Sequence, residues 1–358
     1  MSKLFVVALD TGNGDLKIKS DAVPRLRVGG VLGKYEDAKG KTKTAKESNV
    51  DIYKVEGIDQ EWVVGHEDVN HFRLKPLTVA GREGLLRYKQ QMYTVYGKIG
   101  LVKALGSKRP SKVVLVTSTT AKDALDSEVV DYLTELFKDV HKVKQNDEKV
   151  LTIVQEYVPL SETEAALYDV YLDEEGFVAD EKIENQDVLV INAGFGTTDI
   201  SRYNGLEYIK LETETINTSY LDVIKLLKVY VDSKLKKSIP REEISRQLDQ
   251  QINQTEKKFV YVEEEVPGFN EEYYKAVDSA FNDLFADLKV IVEDPDLYPR
   301  IIVVGGAAVD SIWGKKFKQW SRRVEIPADP QFAATRGMYN YGKYLANELA
   351  DNAAASEE

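Results

Sequence analysis

Apolar residues in this chain fall into two kinds of run. Short unbroken ones read as buried strands: residues 4–9, "SKVVLVTST" ending at Thr119, "VLVIN" from Val188, and "RIIVVGG" from Arg300. "DTGNGDLKIKS" turns the first of these back into a second strand ending near Ser20, and "DIYKVEG" and "EWVVG" read as the arms of a hairpin. Other runs recur at helical spacing. "SEVVDYLTELFKDV" sets Val129, Val130, Leu133, Leu136 and Phe137 on one face. A strand in "KVLTIVQEYVPL" leads to a helix beginning near Ser161, with Glu164 three residues on in the spacing of a capping box. Helix is also expected over 78–105 and through most of 217–293, where Tyr274, Val277, Phe281, Leu284, Leu288 and Ile291 form an apolar stripe. "DPQFAATRGMYNYGKYLANELAD" predicts a closing helix and "NAAASEE" a frayed acidic tail, while the charged stretch 35–48 reads as a flexible excursion.

One pattern occurs twice. "VVALDTGNGDLKI" and "VLVINAGFGTTDI" share a strand, then D/N-x-G-x-G, then a second strand, and they open the two halves of the chain. A repeated supersecondary unit implies two like-folded domains, with the turns expected to meet in a cleft between them. The expected division is 1–180 (with 336–358 returning to it and an insertion at about 30–100) and 181–335 (with a helical subdomain at about 212–294).

Composition narrows the function classes. A chain of 358 residues can bury a large core in two domains. Its formal charge of −12 argues against direct nucleic-acid binding, so work on DNA would need an intermediary. The absence of cysteine excludes disulfides, thiol nucleophiles and thiolate metal sites, and His66, His71 and His141 lack ligand spacing. No segment has the apolar length of a membrane span, and a cytoplasmic protein is expected.

The glycine turns carry the candidate chemistry. Alternate glycines, Gly12 and Gly14, Gly194 and Gly196, let successive N–H groups aim at one anion and let a ligand approach closely. Either turn alone is most simply a tight hairpin. Both together, with Gly305 and Gly306 after a further buried strand, point to a polyphosphate. No G-x-x-x-x-G-K-[ST] occurs, and Lys17 and Asp199 stand where the third glycine of G-x-G-x-x-G belongs, so neither a P-loop nor a Rossmann site is present.

Taken together these segments resemble the nucleotide-site motifs of the actin superfamily. "ALDTGNGDLKI" is similar to phosphate-1, "VPLSETEAALYDVY" to connect-1, "VINAGFGTTDIS" to phosphate-2, "IIVVGGAAVD" to the adenosine motif and "DPQFAATRGMYNYG" to connect-2. Size and the last motif resemble most the bacterial actin-like proteins of the ParM and Alp type. The resemblance implies a two-domain α/β actin-like ATPase fold with ATP and Mg²⁺ in the cleft. It further implies self-assembly into helical filaments and a ParR-like adaptor tethering the filament to plasmid DNA.

By the same resemblance Asp10, with Asp199, would hold the metal through its water shell, and Glu162, with Glu164 as a rival, would orient the attacking water. Thr11, Gly12, Asn13, Gly14, Lys17, Gly194, Phe195, Gly196, Thr197, Thr198, Gly305, Gly306 and Ala307 would contact nucleotide. Ala165, Ala166, Ala333, Ala334 and Gly337 match the small residues of a hinge crossing.

Two departures matter. Asn192 stands where the phosphate-2 motif has an Asp. An amide can accept a hydrogen bond from a metal-bound water but is no useful base, so slow hydrolysis is expected. Asn217 to Ser219 replace a glycine pair beside the ribose, which leaves GTP as a competitor of ATP. A small-molecule kinase on the same fold is the alternative, since fold does not fix function; a filament that binds nucleotide without cleaving it is another.

Overall fold

The computed structural model describes residues 4–12, 14–38, 49–78, 82–108, 112–252 and 254–355. The chain divides into two compact units, Met1–Glu181 with Phe332–Glu358, and Lys182–Gln331.

The first unit is built on a ten-stranded sheet in the order β3-β2-β1-β8-β10-β9-β5-β6-β4-β7, whose members are β1 (Phe5–Thr11), β2 (Asp15–Ser20), β3 (Leu26–Gly29), β4 (Val31–Lys34), β5 (Tyr53–Val55), β6 (Glu61–Val64), β7 (Leu77–Thr78), β8 (Lys112–Thr119), β9 (Val140–Gln145) and β10 (Glu148–Ser161). Its helices are α1 (His66–His71), α2 (Leu85–Tyr88), α3 (Gln91–Leu105), α4 (Ser127–Phe137), α5 (Glu162–Tyr171) and the closing α10 (Ala333–Ala355). Strand β1 is buried along its whole length. Phe5, Val7 and Leu9 enter one core with Tyr96, Ile99 and Leu133 of α3 and α4, while Val6 and Ala8 enter another with Ala165, Ala334 and Met338 of α5 and α10. Burial on both faces is why this strand reads as an unbroken apolar run rather than an alternating one.

The second unit has β11 (Asp187–Ala193), β12 (Thr198–Asn204), β13 (Glu207–Tyr208), β14 (Glu214–Ile216), β17 (Arg300–Val304) and β18 (Val324–Glu325) in one sheet, and β15 (Val260–Tyr261) with β16 (Glu264–Glu265) in a separate hairpin. Helices α6 (Tyr220–Leu235), α7 (Arg241–Gln250), α8 (Phe269–Ile291) and α9 (Ser311–Trp320) complete it. The duplication seen in sequence holds in topology. Strand β1 is antiparallel to β2 and parallel to β8, and β11 is antiparallel to β12 and parallel to β17.

Three local expectations are corrected. Thr78 belongs to β7, paired with Val31, and the helical segment begins only at Leu85, after Gly84 at φ +55°. Tyr274 is 38% exposed and its neighbour Tyr273 takes the core position, because the buried face of α8 is set by Tyr273, Ala276, Val277 and Ala280. The tail does not fray at Asn352: α10 continues through the alanines to Ala355, as their helix propensity favours. Of the expected excursion, Tyr35–Ala38 forms a 3-10 turn and 39–48 lie outside the described residues.

Helices α5 and α10 cross in backbone contact. A Cβ built on Gly337 would stand 1.7 Å from the Ala165 carbonyl oxygen. One residue away, Arg336 holds Asp169 through two hydrogen bonds of 2.8 and 2.7 Å. Asp21 pins the same helix by accepting from Tyr339 Oη, Lys343 Nζ and the Val6 amide at 2.8, 2.9 and 2.8 Å. Gly337→Ala is therefore expected to destabilise the protein by about 1–3 kcal/mol through overpacking. Urea denaturation measures this, and an unchanged midpoint would show that the crossing has slack.

Candidate functional site: the duplicated turns

In the first unit the turn follows directly from the strand. Asp10 follows the apolar run of β1 and faces Lys17 of β2 in the antiparallel register. Lys17 Nζ donates to Asp10 Oδ2 at 2.7 Å, and Ser118 Oγ, from the end of β8, donates to Asp10 Oδ1 at 2.8 Å. Burial alone would push the Lys17 ammonium down, but the Asp10, Glu162 and Asp15 carboxylates outweigh it and hold its pKa above the ordinary lysine value. Thr11 closes the strand: its hydroxyl meets Tyr93 Oη at 2.9 Å and its carbonyl accepts from Arg87 at 2.8 Å. Gly12 follows, where a Cβ would come within 3.1 Å of the Asp15 carbonyl oxygen. Gly14 accepts a hydrogen bond from the Gly30 amide at 2.8 Å; Asn13 lies outside the described residues.

Glu162 and Glu164 are separated by their surroundings. Ser161 caps α5, its hydroxyl accepting from the Glu164 amide at 3.0 Å. Glu162, in the first turn, acts electrostatically on both Lys17 and Arg87 and so belongs with the Asp10 cluster. Burial raises the Glu164 carboxyl, which hydrogen-bonds Tyr168 instead. Glu162 is therefore placed with the Asp10 cluster and Glu164 with Tyr168.

In the second unit Asn192, next to last in β11, stands opposite Asp199 of β12. Spacing and register repeat those of Asp10 and Lys17, with an amide and a carboxylate in place of an ion pair. Both are buried, at 3% and 1% exposure. Thr215 Oγ1 donates to Asp199 Oδ1 at 2.5 Å. Within the turn the Gly194 amide bonds the Thr197 carbonyl at 3.0 Å, and a Cβ on Gly194 would stand 2.8 Å from that oxygen. The Phe195 carbonyl accepts from Ser219 Oγ and from the Leu221 amide, both at 2.9 Å, so the turn is moored to the start of α6. Thr198 Oγ1 donates to the Thr218 carbonyl at 2.8 Å. Gly196 and Thr197 lie half-buried at the tip.

The third glycine site splits in two. Gly305 sits at φ +97°, and any Cβ there would collide with the Ala193 carbonyl at 2.3 Å and with Asn192 Oδ1 at 2.6 Å. Only glycine fits. The Gly306 Cβ position is open, with its nearest neighbour at 3.8 Å, and Ala307 is fully buried behind it. Gly305 is thus required by packing against Asn192, and Gly306 is not.

Of the residues replacing the expected glycine pair, two serve the fold. Thr218 Oγ1 donates to Asp287 at 3.0 Å, and Ser219 forms a capping box with Asp222. Asn217 is exposed and lines a groove of about 420 Å³ with Thr215, Thr218 and Asp287.

Sequence reasoning missed Ser118, Arg87, Tyr93 and Thr215. Ser118 leaves a faint trace as a hydroxyl near a strand end, and Thr215 lies mid-strand in β14. Arg87 leaves none, because a lone cation in a helical stretch looks like a surface residue until its burial is seen.

Asp10, Asn192 and Asp199 offer hard oxygen donors of the kind Mg²⁺ takes through retained waters. Among the described residues no group of three or more His, Cys, Asp or Glu could hold a metal. A cation at either turn would complete its shell from waters and phosphate oxygens, and on that footing the residues fit Mg²⁺.

Replacing Lys17 with Met leaves the Asp10 carboxylate buried without its counter-charge, at a cost of roughly 3–5 kcal/mol. Urea denaturation at neutral pH measures the loss, and a cost near zero would show that Ser118 alone satisfies Asp10.

No family model and no curated protein matches the chain. Solved structures do. A ParM protein of pSK41 in its apo form is 19% identical with a TM-score of 0.72, over 98% of this chain and 100% of that one. The archaeal actin homologue Ta0583 in complex with ADP is 16% identical at a TM-score of 0.71, over 96% and 99%. A 15-stranded ParM filament from Clostridium botulinum is 15% identical at a TM-score of 0.72, over 95% and 99%. The fold is therefore the actin fold, in the form seen in ParM and the archaeal homologue. Among the described residues no helix is long and apolar enough to cross a membrane.

Proposed function

We propose that this chain is a cytoplasmic, nucleotide-dependent, filament-forming actin-like protein that moves plasmid or other DNA through a separate DNA-binding adaptor. The observation that carries the reading is the paired strand–turn–strand units, matched in register, on a fold shared end to end with ParM. That similar proteins are described as a filament and as an ADP complex supports assembly and nucleotide binding here. The acidic charge of −12 suits an adaptor rather than direct DNA contact.

Each turn contributes backbone N–H groups to phosphate, with Lys17 adding a fixed positive charge and Gly306 a place of close approach. Mg²⁺, when bound, neutralises phosphate oxygens. Asp10, Asn192 and Asp199 would hold its water shell, and Glu162 would orient the attacking water. Positioning and charge account for most of what phosphoryl transfer asks of a protein.

Asn192 accepts hydrogen bonds from water without accepting a proton, so ATP is bound well and cleaved slowly. The same observation favours a second reading, a filament that holds nucleotide with almost no turnover. Exposed Asn217, in its groove with Thr218 and Asp287, is where a preference between ATP and GTP would be set.

Sedimentation tests the main reading: micromolar protein pellets with Mg-ATP and stays soluble without nucleotide. Absence of nucleotide-dependent pelleting would remove it. Asn192→Asp is expected to speed phosphate release by about a hundredfold or more, in the range of an added proton acceptor. Without Mg²⁺ and nucleotide the same variant should melt earlier, because two carboxylates would then face each other across β11 and β12. An unchanged rate would show that position 192 takes no part in hydrolysis.

A further inference from the structure

The hairpin of β15 and β16 ends in a two-residue turn, Val262–Glu263, with both residues at positive φ, 49° and 67°. Such turns favour Asn and Gly; a branched Cβ is disfavoured there. Val262 is also 79% exposed, so the strained apolar side chain gains nothing from its own fold. Beside it Glu263 and Glu264 are exposed and have no ion-pair partner among the described residues, whereas Glu265 faces Lys258 at 3.7 Å. The tip is an apolar point flanked by free acid.

A complementary surface lies in the same unit. Lys318, near the end of α9, and Arg322 and Arg323 just after it are exposed, and none has a carboxylate within ion-pair distance among the described residues. Free cations grouped in six residues are unexpected on a chain of net charge −12.

Helix α8 separates the two surfaces. The hairpin packs at its start, where Phe259 meets Phe269 at 5.6 Å and Tyr274 Oη bonds the Thr255 carbonyl at 2.8 Å. Trp320, two residues before Arg322, packs on Phe285 at 6.0 Å. Phe285 lies sixteen residues beyond Phe269, about 24 Å along the helix at 1.5 Å per residue. Arg323 then runs alongside the start of β17, its carbonyl accepting from the Ile301 amide at 3.1 Å. Within one chain the acidic tip and the basic patch stay apart.

We propose that the Val262–Glu264 tip of one copy docks on the Lys318, Arg322 and Arg323 patch of the next. Different surfaces on the two partners make the contact heterologous, and a heterologous contact that does not close into a ring propagates as a filament. This rests on the self-assembly reading above and names the surfaces that carry it. The partner is a second copy because the charge that the tip seeks is displayed on the same protein.

Reciprocal charge reversal tests it. R322E/R323E and E263K/E264K should each raise the critical concentration for Mg-ATP-dependent pelleting at least tenfold while keeping the wild-type melting temperature and nucleotide binding. An equimolar mixture of the two should pellet again, because every junction in an alternating polymer is then complementary. V262G should raise the melting temperature by relieving the strained turn and should weaken assembly. Pelleting by each single-surface variant at wild-type concentration, or a mixture that fails to recover, overturns the proposed contact and leaves the filament reading standing. Failure of the wild-type chain to pellet overturns both.

Discussion

The register of two short hairpins is the constraint on which the rest of this protein depends. Strands β1 and β11 are buried on both faces, so neither can slip by one residue without exchanging the side chains of two cores. Their ends are therefore fixed. So are the buried polar residues that follow the apolar runs there, Asp10 opposite Lys17 in one unit and Asn192 opposite Asp199 in the other. The glycines that follow lead the backbone away from these pairs in a conformation that leaves little room for a side chain.

Identical frames carry different charge. Asp10 and Lys17 neutralise one another at 2.7 Å, and Ser118 takes the remaining carboxylate oxygen. Asn192 and Asp199 together carry one negative charge, with Asn192 Oδ1 seated against Gly305 and Asp199 held by Thr215. A carboxylate at position 192 would set like charges directly across a strand pair, a destabilising arrangement unless a cation intervenes. The amide thus lets the turn fold without metal. On the function proposed above, that stability comes at the cost of a proton acceptor.

Much of this was legible in the chain. Unbroken apolar runs marked the doubly buried strands, and the repeated D/N-x-G-x-G marked both turns, because strand burial and glycine conformation are local demands written at fixed spacing. What could not be read came from tertiary packing. Arg87 is buried to reach the Thr11 carbonyl, and nothing in its neighbours announces that. Tyr273 displaced Tyr274 from the core of α8 because a long helix packed on several sides buries a face wider than one stripe. Glu162, with Glu164 as its rival, could not be separated further by sequence, both lying in the first turn of α5; in the structure cations surround the first and the half-buried Tyr168 bonds the second. Gly305 and Gly306 looked alike and are not, since only the former is pressed against Asn192.

Hydrogen exchange of the backbone amides with and without Mg-ATP tests most directly whether these hairpins are phosphate-binding turns. Nucleotide should slow exchange at amides 12–16 and at 194–198 together if both turns bind its phosphates as proposed. Protection confined to one turn, or found in neither while nucleotide is demonstrably bound, would contradict the account.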